Sequence, residues 1–147
     1  MLQTETGIQA RLYQLGDLDW VETGSPAGWF DAKSAARMAR LDLSVSFYEE
    51  GRYVGSAGLL PLWPGVYEAW LVLQHLPTAP WAFMAALRRS LQLGAKLTQA
   101  HRIQAYCLAE YRPGRHLARR MGMRQEAVLE AATPTKTDLL LFAKVRH

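Results

Sequence analysis

The feature that most restricts this chain is a change of hydrophobic period near its middle. Leu43, Val45 and Phe47 alternate with Ser44, Ser46 and Tyr48, and residues 53–60 return after the glycine turn Glu49-Glu50-Gly51-Arg52. A third apolar run, Val66–Leu73, follows the turn Pro61-Leu62-Trp63-Pro64-Gly65. A repeat of two is that of a strand with one buried face, so the three runs predict a meander of antiparallel strands. From Pro80 the repeat lengthens: Met84, Leu87, Leu91 and Ala95 share one helical face, while Arg88, Gln92, Lys96 and Gln99 lie elsewhere. Pro80 suits a first helical position, Thr78 is a candidate cap, and the helix is expected to end near Ala100.

The flanking segments extend the pattern. Ile8, Ala10 and Leu12 alternate with Gln9 and Arg11, which predicts a strand over residues 8–15 broken by Gly16-Asp17. Residues 17–21 suit a short helical turn, and Thr23-Gly24-Ser25-Pro26 reads as punctuation. Asp31 is a candidate N-cap for a helix reaching Leu41, with Ala35, Met38 and Leu41 on its apolar face. Beyond the long helix, residues 103–108 form an apolar strand suited to a central position, and Pro113 opens a helix stopped by Gly122. Residues 124–130 and 137–145 are two last strands. This order predicts an α+β (mixed α/β) fold: one domain over residues 1–147, with a central, mixed, mostly antiparallel, twisted sheet flanked by helices. The step from Val66–Leu73 through a helix to residues 103–108 predicts a parallel pair with a right-handed crossover. Gly55, Ala57 and Gly58 leave the middle meander strand thin, which marks the close approach of another backbone or a ligand.

Charge is divided unevenly. Residues 1–73 carry five Lys/Arg and nine Asp/Glu, and residues 74–147 carry twelve and four, within a net charge of +4. An anionic partner would therefore meet the C-terminal half. Arg112, Arg115 and Arg119 form one helical stripe with Arg120 beside it. A solvated helix face is the plain reading of that stripe; phosphate or an acidic protein is the functional one, and nucleic acid is the weaker option because no aromatic residues interleave it.

Several chemistries find no support. The single cysteine, Cys107, precludes an intrachain disulfide framework and reads as a buried thiol rather than a nucleophile. His75, His101, His116 and His147 lack metal-ligand spacing, so no metal is expected, and neither a Gly-x-Ser-x-Gly elbow nor a phosphate-binding Walker loop is present. No apolar run approaches the ~20 residues of a membrane span, and Met1 leads into Leu2-Gln3-Thr4-Glu5 rather than a signal sequence. The expectation is a cytoplasmic chain without a membrane partner. Trp63, Trp70 and Trp81 are expected as core or rim packing around a cleft.

The order of elements resembles that of the GNAT (GCN5-related) N-acetyltransferase superfamily over residues 8–145. Val54-Gly55-Ser56-Ala57-Gly58 resembles the family's V-G-x-x-G strand, and residues 112–121 followed by Gly122-Met123 resemble its A-x-x-L-Y-x-x-x-G-F segment. The resemblance implies transfer of an acetyl group from acetyl-CoA to a primary amine on a small molecule or protein. It implies that the pantetheine arm lies against the third meander strand at Leu71 and Leu73, and that the pyrophosphate sits at the start of the next helix. The family signature there is Gln/Arg-x-x-Gly-x-Gly/Ala, and this chain reads Gln74-His75-Leu76-Pro77-Thr78-Ala79. Gln74 and Ala79 match; Pro77 replaces a glycine and has no N–H to offer a phosphate, and Pro80 lacks one too. Ala82 and Arg115 complete the implied cofactor contacts.

By the same resemblance Glu68 is the implied base. The position of the family's tyrosine acid falls on Ala118, so Tyr111, or Tyr106, is the candidate in its place. Short divergent chains of this fold occur in tailed bacteriophages, including accessory virion proteins. The alternative is therefore a catalytically inactive structural or interaction protein, with a protein partner or a second copy of itself, and with virion association if encoded by a phage.

Overall fold

The computed structural model describes residues 3–5, 7–21 and 30–147. The expected turn at Thr23-Gly24-Ser25-Pro26 lies outside the described residues. Among the described residues, eight strands form one sheet: β1 (Gln3–Glu5), β2 (Ile8–Leu12), β3 (Ser44–Glu49), β4 (Arg52–Trp63), β5 (Val66–Leu73), β6 (Arg102–Leu108), β7 (Arg124–Leu129) and β8 (Leu139–Val145). Their spatial order is β1-β2-β3-β4-β5-β6-β8-β7. Every adjacent pair is antiparallel except β5 and β6, which run parallel as the strand–helix–strand step predicts. The helices are α1 (Ala32–Met38), α2 (Pro80–Thr98) and α3 (Arg112–Arg120). The mixed α+β architecture expected from the sequence is the one observed.

Alternation along β3 separates the two faces of the sheet. Phe47 points to one face and meets Phe83 of α2 edge-on, with ring centroids 5.2 Å apart. That side holds the main core, including Ile8, Val54, Leu87, Ile103, Leu140 and Phe142. Ser46 points the other way. It lies beneath a 3-10 turn at Asp17–Trp20, where its hydroxyl donates to Asp17 Oδ2 at 2.7 Å and shares a 2.8 Å bond with Ser56 Oγ. A smaller cluster of Tyr13, Leu18, Ala35 and Trp70 packs on this second face. The serines were expected on an open face, but both are buried: Ser46 under Asp17 of the 3-10 turn, and Ser44 beside Gly58, against which Trp70 also packs. Hydrogen bonds make that burial tolerable for Ser46. Tyr53 joins the same network through Ser56, and burial pushes its hydroxyl pKa up to about 12.

Element boundaries moved where backbone geometry overrode pattern. Asp31 does cap α1, accepting from the Ser34 N–H at 2.8 Å, but the helix stops at Met38 because Ala39 adopts an extended ψ of 123°. Leu41 instead enters a 3-10 turn, half exposed. The strand expected over residues 8–15 is β2 and ends at Leu12, and β1 at Gln3–Glu5, which pairs with it, had no counterpart in the expected order. β4 runs on through Pro61 to Trp63, past the expected turn. Its pairing with β3 ends at Gly58, so beyond that point it is an edge, and the register shifts between Pro61 and Trp63. A proline is admissible in such a place because no inner ladder needs its N–H. The β3–β4 turn has φ of 49° at Glu50 and 80° at Gly51, the left-handed pair that a two-residue hairpin requires.

Gly55 meets the close approach that its sequence context implied. A Cβ there would lie 2.3 Å from the Val72 carbonyl oxygen and 3.0 Å from the Leu73 Cα. Both obstacles are backbone, so Gly55→Ala must push β5 away from β4. We expect a loss of about 1–3 kcal/mol, typical of overpacking, measured by denaturant unfolding. Wild-type stability in that variant would contradict the contact.

Candidate functional site

The site begins where the parallel pair comes apart. β5 and β6 are in register at Val66↔Arg102, Tyr67↔Ile103 and Glu68↔Gln104, and the ladder stops there. Residues 69–73 of β5 continue paired to β4 alone, and residues 105–108 of β6 continue paired to β8 alone. Two strand edges therefore face each other without a shared ladder. Backbone N–H and C=O groups on such edges need partners, which makes a gap of this kind receptive to an extended molecule bearing amides. Gly55 contributes by letting Val72 and Leu73 lie close against β4.

A cavity of about 770 Å³ opens at this gap, within the size range of small-molecule sites. Its walls are mostly apolar and include Leu71, Leu73, Met84, Leu87 and Leu117. Glu68, Asp31, Asp42, Tyr106 and Tyr111 are among the few polar side chains that reach it. Glu68 is half-buried, and burial alone raises its carboxyl above the usual range. A carboxylate shifted toward neutrality in a cleft is suited to take up a proton. Tyr111 stands at the N-cap of α3, about half exposed, with its ring near Gly114.

The implied cofactor residues divide. Leu71 and Leu73 line the cavity. The Gln74 N–H donates to the Val54 carbonyl at 2.7 Å. Ala82 is fully buried in the main core, and its N–H donates to the Ala79 carbonyl at 3.1 Å, the first bond of α2. Ala79 is the N-cap of α2 and supplies no side-chain bond. Thr78, the candidate cap, turns its hydroxyl to a different partner. Arg115 is partly buried on α3 and, with Arg119, lies close enough to Cys107 to oppose the rise that burial imposes on that thiol. Cys107 is thus held in its thiol form. Of Trp63, Trp70 and Trp81, Trp70 is buried and lines the cavity, whereas Trp63 and Trp81 are more than half exposed and take no part in the core.

One residue that sequence reasoning passed over dominates the start of α2. Glu49, at the end of β3, places its carboxylate on the helix N-terminus. It accepts from the Thr78 N–H at 3.1 Å to each oxygen, from the Thr78 hydroxyl at 2.9 Å and from the Ala79 N–H at 3.4 Å. The Thr78 amide, ahead of the other contacts, holds the Glu49 carboxyl below its ordinary pKa. Nothing local could announce this contact, since the partners are 29 residues apart. The only sequence signal was an acidic pair beside the hairpin turn.

No family model matches this sequence, and no curated protein matches it either. Solved structures do match in fold. An acetyltransferase of the GNAT family from Bacillus anthracis superposes with a TM-score of 0.73 at 18% identity, over 97% of this chain and 96% of that one. RimL, a ribosomal alpha-N-protein acetyltransferase in complex with coenzyme A, gives 0.73 at 10% identity over 98% and 97%. A spermidine N-acetyltransferase chimera built from Vibrio cholerae SpeG gives 0.71 at 12% identity over 95% and 96%. The fold is therefore that of the GNAT acetyltransferases, reached from a widely divergent sequence. Among the described residues, no helix is long and apolar enough to cross a membrane.

Proposed function

We propose that this chain is an acyltransferase that moves an acetyl group from acetyl-CoA to a primary amine in the gap between β5 and β6. The observation that carries the reading is the end of the parallel ladder at Glu68, which sets a half-buried carboxylate beside an open strand edge and an apolar cavity. The unshared edge at residues 69–73, with Leu71 and Leu73, fits an arm built of amides and methylenes. The α2 N-terminus does not fit a diphosphate while Glu49 holds the Thr78 and Ala79 amides.

Acetyl-CoA, when bound, supplies an acyl group activated as a thioester. The rest of the chemistry falls to the chain. Asp31 adds negative charge to the cavity wall, where Asp42 is already paired with Arg40 at 3.4 Å, and favours the approach of a cationic amine. Glu68 takes the proton that the amine nitrogen sheds as the new amide bond forms. Tyr111, at the same cavity, is the candidate to return a proton to the departing sulfur, and Tyr106 of β6 lines the cavity too. Two of the similar structures are named for a protein alpha-amino group and for spermidine as acceptors, and both are amines.

Titration with acetyl-CoA, followed by thermal unfolding, tests the reading. A ligand at 100 times its Kd stabilises the fold by ~2.7 kcal/mol, a rise in Tm of several degrees. No shift at millimolar acetyl-CoA would overturn it. A second reading, a binding protein that retains the fold without turnover, is favoured by Ala118, which packs against the core where the resemblance places a tyrosine acid. That reading expects a stable assembly on size-exclusion chromatography and no acetyl transfer.

A further inference from the structure

The seat that the fold offers to a nucleotide diphosphate is already taken by the chain itself. Four hydrogen bonds bring Glu49 onto Thr78 and Ala79 at the N-terminus of α2. Around them the remaining opportunities are few. Pro77 and Pro80 have no N–H, the Gln74 N–H is engaged by Val54, and the N–H groups of Ala82 and Phe83 both donate to the Ala79 carbonyl. Glu49 is anionic, and the positive end of a 19-residue helix dipole favours it where it lies. A diphosphate arriving there meets a like charge and amides already bonded, so it must displace the carboxylate before it can bind.

The gap beyond β5 has the opposite character. Its open strand edge and its walls at Leu71, Leu73, Met84 and Leu117 are neutral. They provide amide pairing and apolar contact for a chain such as pantetheine, without any need for phosphate. We propose that Glu49 is a specificity-determining residue: it fills the anion seat, so that the acyl donor is recognised by its pantetheine arm and acyl end, and thioesters of pantetheine lacking the nucleotide are accepted as well as those of CoA. The proposal rests on the reading of the β5–β6 gap as the donor site.

Calorimetric titration of the full chain with acetyl-CoA and, separately, with S-acetylpantetheine tests it, on the wild type and on Glu49→Gln. The wild type is expected to bind the two thioesters within about threefold of each other. Glu49→Gln, which keeps the shape but removes the charge, is expected to tighten acetyl-CoA about tenfold and leave S-acetylpantetheine unchanged. A wild type that prefers acetyl-CoA by tenfold or more overturns the proposal while leaving the donor site intact, and this comparison needs no variant. Tightening of both thioesters alike in Glu49→Gln also overturns it, since the effect would not involve the nucleotide. Absence of binding by either protein to either thioester defeats the donor-site reading and this proposal together.

Discussion

Glu68→Gln is expected to lower kcat for acetyl transfer by about 10²–10⁴-fold, the usual contribution of a general base, while the thermal shift produced by acetyl-CoA persists. Glutamine keeps the volume and polarity of the side chain but cannot accept the amine proton. The position follows from the sheet: Glu68 is the last residue of β5 still in register with β6, so its side chain stands where the two strands begin to part. Burial raises its carboxyl pKa, which shifts the rise of kcat with pH upward from that of an exposed carboxylate. The same shift has a consequence for stability. Because the folded pKa lies above the unfolded one, the fold favours the protonated form. That advantage is complete below the unfolded pKa and is lost as pH rises through the folded value. Glu68→Gln removes the ionised group, so its Tm relative to the wild type should improve as pH rises from the ordinary carboxylate pKa upward. Wild-type kcat in this variant would remove Glu68 from the chemistry, and loss of the acetyl-CoA shift would mark it as a binding group instead.

Phe47→Ala is expected to cost about 3–5 kcal/mol and to lower Tm by roughly 10 °C or more. Phe47 is wholly buried at the centre of the sheet, and its ring meets Phe83 at 80°, an edge-to-face contact. Truncation removes buried apolar area and leaves a hole between β3 and α2 that the neighbouring strands cannot close. Phe83 lies in the first turn of α2, directly after the loop that Glu49 holds. Loosening this contact therefore reaches the start of the helix as well as the core. Phe47→Leu, which keeps more of the volume, should lose less. Denaturant unfolding measures both, and an unchanged midpoint for Phe47→Ala would mean that the ring is not central to the core.

Much of the scaffold was legible because short-range preferences and the surrounding fold agree. β5 occupies Val66–Leu73 as its apolar run and flanking turns indicate, and α2 begins at Pro80, where proline is favourable at a helix start. Where the two disagree, context prevailed. Leu41 continued a helical pattern, yet the chain had already left the helix at Ala39. Ser44 and Ser46 had the polarity of an exposed face, yet both are buried, Ser46 with Asp17 of the 3-10 turn as its partner and Ser44 beside Gly58 and Trp70. Of the residues singled out from the sequence, Leu71, Leu73 and Glu68 line the cavity, while the Ala82 N–H is used within α2 and Thr78 gives its hydroxyl to Glu49.

The sequence by itself determined most of the strands and helices and their order, though not β1 at Gln3–Glu5, because hydrophobic period, turn glycines and helix-start prolines act over a few residues. It also placed an acidic half before a basic one. Tertiary structure alone decided where the β5–β6 ladder ends, how far Glu68 is withdrawn from water, and that Glu49 sits on the α2 amides. These depend on distances between residues remote in the chain. Pairing, desolvation and charge contact are set by separation in space, which a one-dimensional pattern does not encode.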